Sequence, residues 1–490
     1  MSLLTQFTDA LNTYSILDET TRTVMLAIYN NTAVINAILG PVSNGGKTYK
    51  VTAIGDNAFY NVKGTLVSVN APDVLAVGKN AFEDCIILET VEMNKVTTIG
   101  QRAFQNCQIL QTVSMPQLVH IGTRAFSSAI SAISISGIAL NFPNVKYIDN
   151  EAFTQCSKLV AINLPKVIRI GESSFNSSGL RAINFPELVV AGNIVFRANN
   201  NLQTACLPKL KYVSFRMFGE CSNLTKVSVP SATEIQDYAF NNCTDLVHVL
   251  IPEVEEIKTE AFINCTSLSN INLPKVKSVG NRSFNNTGLI KLKAPELQYI
   301  GDQAFNNIPS LISIDIPNVE FIGMEAFVGT GLTDVKLPRS LEQLGQYSFS
   351  SNIDTLTCIE VCSSPCTSVG VGALLNGVTN TSANLITVTT LNTITDDVLL
   401  DNNLYKSPLT NFCIKNKCDK RRYAKHFGVF TTIISDEKCN KICESSKSCC
   451  KSCDKKERER EREREREIDN ICSCRDKNNR YRDCCHSRNN

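Results

Sequence analysis

The chain has 490 residues, 43% of them hydrophobic and 20% charged, with a formal net charge of +2. It is apolar enough for a large core, which excludes disorder throughout. A net charge this small excludes a strong bulk pull toward nucleic acid or membrane, and no nucleic-acid partner is expected.

Residues 1–45 carry no repeat and are expected to form a helical or mixed N-terminal cap, with Ala33–Leu39 packing on the first repeat. The first 20 residues combine Asp and Glu with broken apolar runs, unlike a signal peptide. No window of 18 clean apolar residues occurs, so no membrane span is expected. Ser43-Asn-Gly-Gly-Lys47 reads as a glycine turn, because it lacks phosphate-loop spacing.

Residues 46–360 are dominated by a repeat. Phe recurs at Phe59, Phe82, Phe104, Phe126, Phe153, Phe175, Phe196, Phe218, Phe240, Phe262, Phe284, Phe305, Phe327 and Phe349. Nine of the 13 intervals are 22 residues and three are within one residue of that; the exception, 27, reads as a loop insertion near Ser131–Leu140. Pro stands ten residues before the Phe in eleven units, and Gly four residues before it in ten. In the unit Leu268 to Phe284, Leu268, Ile271 and Leu273 are expected to point inward from a short strand that Pro274 ends. Val276 and Val279 form a second inward pair. Gly280 is expected to permit a tight or left-handed turn, and the Phe plugs the interior from a helical or irregular segment. One such unit cannot bury its own apolar face, so about fourteen must stack as a solenoid of short parallel strands.

These landmarks, L-x-x-I/V-x-L-P-x-V-x-x-I-G-x-x-A-F-x-N-C, resemble the BspA-type leucine-rich repeat of bacterial and protist surface proteins, from about Val51 to Leu356. Cys413–Ile434 is similar, more weakly, to the closing segment of such proteins. The resemblance implies a capped leucine-rich-repeat fold displayed at a cell surface or secreted, and adhesion to proteins of another cell or its matrix.

Residues 361–438 lose the register and are expected to hold degenerate repeats and a C-terminal cap, with a strand-like stretch at Thr379–Thr395. Residues 439–490 form a cysteine-rich basic tail with a Glu-Arg alternation from Glu457 to Glu467. Residues 411–490 carry 22 Lys+Arg against 14 Asp+Glu, and nine of the 21 cysteines fall between Cys439 and Cys485. Dense thiols have two explanations, disulfides in an oxidising compartment or thiolate-bound zinc in a reducing one. The odd cysteine total leaves at least one thiol unpaired or joined to another chain, which makes a disulfide-linked oligomer one expectation.

Catalytic chemistry finds little support. The four histidines, His120, His248, His426 and His486, are scattered, and no G-x-S-x-G, H-E-x-x-H or dinucleotide fingerprint occurs. No cofactor is expected. The repeat cysteines Cys85, Cys107, Cys156, Cys221, Cys243 and Cys265 stand three residues after the Phe, which reads as packing. Cys206 falls at an outward strand position.

The functional surface is expected on the outward strand positions, which run from Glu92 through Asn141 and Leu250 to Lys336. Candidate protein-binding residues are Asn163, Asn184, Ser228, Asn272, Lys291, Lys293, Asp315, Asp334 and Lys336. A regular row of donors, acceptors and charges on a rigid sheet suits recognition of a protein surface. A non-enzymatic recognition scaffold is therefore the leading expectation. The alternatives are an intracellular scaffold with a metal-thiolate tail, and a coat component cross-linked through tail cysteines.

Overall fold

The computed structural model describes residues 5–9, 12–30, 36–132, 137–338 and 340–349. For Asp334 and for the strands Cys358–Val361, Ser368–Val369, Leu385–Val388, Asn411–Ile414 and Ile433–Ile434 it describes the backbone alone. The chain divides into two compact units, Met1–Val229 and Pro230–Asn490.

Unit 1 opens with strands, where a helical or mixed cap was expected. β1 (Gln6–Thr8), β2 (Asn12–Asp18) and β3 (Thr23–Tyr29) form an antiparallel meander. The pattern explains it: Val24 and Leu26 alternate inward along β3 and are fully buried, as a strand with one core face requires. β4 (Asn36–Ile38) pairs in parallel with Ser68–Asn70, and buried Ala37 and Leu39 lie on the first repeats as expected. β5 (Val42–Asn44) and β6 (Lys47–Ile54) make a hairpin closed by Gly45 and Gly46. Both glycines have positive φ, 56° and 76°, as the favoured two-residue turn demands.

From β6 onward most turns of the solenoid contribute two short parallel strands, and the turn that holds Leu268–Leu273 contributes one. One row in unit 1 runs through Ala76–Val77, Thr98–Ile99, His120–Ile121, Tyr147–Ile148, Arg169–Ile170 and Val190–Ala191. The other row carries the outward candidate positions, with Ser68–Asn70, Thr90–Glu92 and Thr112–Ser114 in one sheet. Ala182–Asn184, Thr204–Cys206 and Lys226–Ser228 form another. Unit 2 repeats the plan, with Glu234–Ile235, Glu256–Ile257, Ser278–Val279, Tyr299–Ile300, Phe321–Ile322 and Gln343–Leu344 in the first row. Its second row includes Lys291–Lys293, Ser313–Asp315 and Asp334–Leu337. Leu385–Val388, inside the expected strand-like stretch, pairs in parallel with Cys358–Val361 and with Asn411–Ile414.

Tyr60–Val62 after Phe59 is a single 3-10 turn, and from Phe82 to Phe327 the segment around each Phe is irregular. It places two residues per turn, two before and two after the Phe, in the left-handed region; Glu260 and Asn264 around Phe262 are an example, with φ of 53° and 62°. Alternate N–H groups of this segment donate to the next turn: Glu260 to Asn281, Phe262 to Ser283 and Asn264 to Asn285, at 2.9, 2.7 and 3.0 Å. The backbone is thereby satisfied without a helix. Asn is among the residues that tolerate this conformation best, and Asn264 also extends a side-chain ladder, donating to Asn242 and accepting from Asn286 at 2.8 and 2.9 Å.

Every repeat Phe is fully buried. In unit 1 the rings stack from Phe59 to Phe218 with centroids 4.4–5.7 Å apart. In unit 2 they stack from Phe240 to Phe349 at 5.0–5.3 Å. The column begins one turn earlier than the Phe pattern indicates. Tyr29 stacks on Phe59 at 4.9 Å and donates its N–H to Ala58, as Phe59 does to Ala81.

The repeat glycines act differently from the turn expected of them. Gly280 has no positive φ; instead a Cβ there would stand 2.8 Å from the carbonyl carbon of Lys258 and from the nitrogen of Thr259. At Gly280 consecutive backbones approach too closely for a Cβ without a shift, whereas Asp149, Ser214, Gln236 and Lys258 stand at the equivalent position of other turns. Asp or Asn one residue on from that position closes the corner: Asp237, Asn281 and Asp302 accept the N–H of Thr259, Asp302 and Met324 at 2.8–2.9 Å.

Candidate functional site

The outward candidates fall in both units. In unit 1 Asn163 and Asn184 are exposed. Asn163 lies opposite Asn141 on paired strands and donates its amide to the Asn141 Oδ1 at 2.9 Å. Asn184 lies opposite Cys206, which is half-buried. Ser228 departs from its expected role: it is 4% exposed and its Oγ has no hydrogen-bond partner among the described residues. The outward parity holds there, but the residue is covered by its surroundings, unlike half-buried Ser114 at the equivalent position.

In unit 2 the strands Lys291–Lys293 and Ser313–Asp315 register Lys291 against Ser313 and Lys293 against Asp315, with all four exposed. Asp334–Leu337 runs alongside Ser313–Asp315 and brings exposed Lys336 to the same row. The Asp334 side chain lies outside the described residues. Asn272 is exposed, but residues 268–273 form no ladder strand; Leu268, Ile271 and Leu273 point inward as expected. Lys291, Lys293, Asp315 and Lys336 are therefore the candidates brought together.

Two residues beside them are additional. Ile290 and Ile312 are 40% and 48% exposed, and the Ile312 N–H donates to the Ile290 carbonyl at 3.0 Å, so they are neighbours on adjacent turns. Each immediately precedes its strand. Strand parity would turn Ile290 inward with Leu292, but the backbone bends at the strand start and leaves the isoleucine outside.

The buried thiols are structural. The Sγ of Cys107, Cys156, Cys221 and Cys265 donates to the carbonyl oxygen of Phe82, Phe126, Phe196 and Phe240, one turn back, at 3.0–3.2 Å. Burial pushes the thiols of Cys85 and Cys221 up to about 12 and the other three shifted thiols, Cys107, Cys156 and Cys265, upward as well. A thiol of that kind is neither nucleophile nor metal ligand at neutral pH. Among the described residues no three His, Cys, Asp or Glu side chains converge on a metal position. His120 pairs through Nε2 with Asp149 at 3.1 Å on the half-exposed face, a surface contact. The tail cysteines and the Glu-Arg run lie outside the described residues.

The sequence matches the family described as BspA type leucine rich repeat region, in six copies, over residues 47–138, 131–247 and 233–357. Among solved structures, a leucine rich cell surface protein from Faecalibacterium prausnitzii is similar at 21% identity, covering 79% of this chain and 96% of its own, with a TM-score of 0.40. A leucine-rich repeat protein from Bacteroides ovatus is similar at 23% identity, over 73% of this chain and 100% of its own, TM-score 0.39. The pneumococcal vaccine antigen PcpA is similar at 15% identity, over 85% and 100%, TM-score 0.43. No curated protein matches the chain. The family match spans residues 47–357, more than half of the chain, and coincides with the stacked turns. The chain belongs to the BspA-type leucine-rich-repeat family, and it is a repeat scaffold.

Proposed function

We propose that the chain is a non-enzymatic recognition scaffold which adheres to a protein of another cell or its matrix through the strand face of unit 2. The observation that carries this reading is the contiguous exposed pair Ile290 and Ile312, set beside Lys293 and its registered partner Asp315. Exposed aliphatic surface rimmed by charge is the composition of a protein interface. The ladder fixes the side-chain bases before any partner arrives, so little ordering entropy is lost on binding. In unit 1 Asn163 and Asn184 offer hydrogen-bonding groups on the equivalent row. Family membership supports the non-enzymatic part, since the repeated unit of the match is a packing repeat.

The test is binding of the full chain to immobilised extracellular-matrix proteins, wild type against the Ile312→Asp and Lys293→Glu variants. The proposal expects a bound matrix protein, with Ile312→Asp reducing its affinity at least about tenfold, the size of a lost interface anchor. Unchanged affinity in both variants, with melting temperatures also unchanged, would place the interface elsewhere.

A further inference from the structure

The other strand row of unit 2 carries a second feature. Glu256, Ser278, Tyr299 and Phe321 occupy one register line on four successive strands. Tyr299 and Phe321 stack with ring centroids 4.7 Å apart and planes 6° from parallel, and Tyr299 is 41% exposed. The ring separation is the spacing of neighbouring strands, about 4.8 Å, so the rings stand in file along the ladder. Each ring covers one face of the other. The second face of Tyr299 looks over Ser278, whose side chain stops at its hydroxyl. An open slot one strand wide results, with Ser278 as its floor, Tyr299 as one wall and Glu256 on the far side.

We propose that this slot takes an arginine side chain from a partner protein, its guanidinium lying flat on Tyr299 with an N–H edge toward Glu256. A planar cation matches a slot of this width, and an aromatic face attracts it. Arginine adds five donors in a rigid fork, which a lysine ammonium lacks. Charge on the row selects the same partner. Lys275 and Lys277 are held by Glu253 and Glu255 at 2.5 and 2.8 Å, and Lys258 is held by Glu256. Glu296 and exposed Glu320, which precedes Phe321, have no ion pair among the described residues and leave the row acidic. The carboxylate of Glu256 has acceptor positions for a second cation beside Lys258. The slot shares no residue with the face of Ile290, Ile312 and Lys293, so either proposal can fail alone.

The experiment titrates the full chain with a fluorescein-labelled Gly-Arg-Gly-Arg-Gly peptide and with its lysine counterpart, read by fluorescence anisotropy. Ser278→Tyr fills the slot by extending the stack, and Tyr299→Ala removes its wall. Both positions lie outside the core, and melting curves confirm that each variant remains folded. The arginine peptide is expected to bind more tightly than the lysine peptide. Each variant is expected to weaken it about two- to fivefold, the size of an exposed cation–π contact. Equal affinity for wild type and Ser278→Tyr overturns the proposal, as does equal affinity for the two peptides or no binding of either.

Discussion

Replacing Phe262 by alanine tests the packing of the solenoid at one point. The ring is fully buried between Phe240 and Phe284, with centroids 5.0 and 5.1 Å away. Truncation removes a phenyl group from a close-packed column and leaves a cavity that rigid neighbouring turns cannot close, a loss of about 3–5 kcal/mol. Two stacking contacts go with it, each worth about 0.5–1.5 kcal/mol within that total. Because each turn of a solenoid contacts only its neighbours, the damage is local. Hydrogen exchange read by mass spectrometry on peptides covering 236–290 is therefore a better assay than a global melt. The amides to follow are those of Phe240 and Phe262, which donate to Ala261 and Ser283 at 2.8 and 2.7 Å. At 1.4 kcal/mol per factor of ten, their protection should fall by about two to three and a half orders of magnitude. Phe321→Ala is the control: that ring is half-exposed and stacks only on Tyr299 among the described residues, so about 1 kcal/mol is expected. A cost below about 1 kcal/mol for Phe262→Ala, the usual size of a surface substitution, would refute the stacked core.

Three further outcomes follow from the same geometry. Gly280→Ala should destabilise by about 1–3 kcal/mol in urea melts, because the added methyl meets the backbone of the preceding turn; a neutral substitution would show that the turns are not in contact there. The buried thiols make a prediction about pH. Cys85 and Cys221 are raised to about 12 in the fold, against an ordinary value near 9. The folded chain therefore holds more protons than the unfolded one between those values. Their contribution is intact below about pH 9 and falls as pH rises toward 12, by up to about 1.4 kcal/mol per unit for each thiol. Alkylation at neutral pH should spare Cys85, Cys107, Cys156, Cys221 and Cys265 until denaturant is added, and rapid labelling of the native chain at these positions would contradict their burial.

Much of the fold is legible in the sequence because a solenoid writes its period directly into the chain. The Phe at each turn, the Pro that ends a strand and the outward alternation of Lys291 and Lys293 around Leu292 all stand in the amino-acid pattern. What escaped has physical causes. Tyr29 occupies the first position of the aromatic column, but the hairpin of Val42–Asn44 and Lys47–Ile54 separates it from Phe59 and breaks the 22-residue interval. A bare glycine in a pattern does not say whether it serves a left-handed φ or a close approach; here it is the approach. The N-terminal cap read as helical or mixed because seven-residue strands such as Asn12–Asp18 carry too few alternations to decide the period. In the candidate site, alternation marks Ser228 as an outward residue and marks nothing at Ile290, which stands at a variable position of the repeat. Ser228 keeps its outward parity but is buried among its neighbours, and a backbone bend at the strand start leaves Ile290 exposed.

The most direct test of the account is site-specific photocross-linking. Benzoylphenylalanine is placed at Ile312 in unit 2 or at Ile86 in unit 1, both 48% exposed, and the full chain is irradiated over a mixture of extracellular-matrix proteins. Recognition through the strand face of unit 2 predicts a discrete cross-linked protein from position 312 and none from position 86. Equal labelling from both positions, or none from 312, would contradict it.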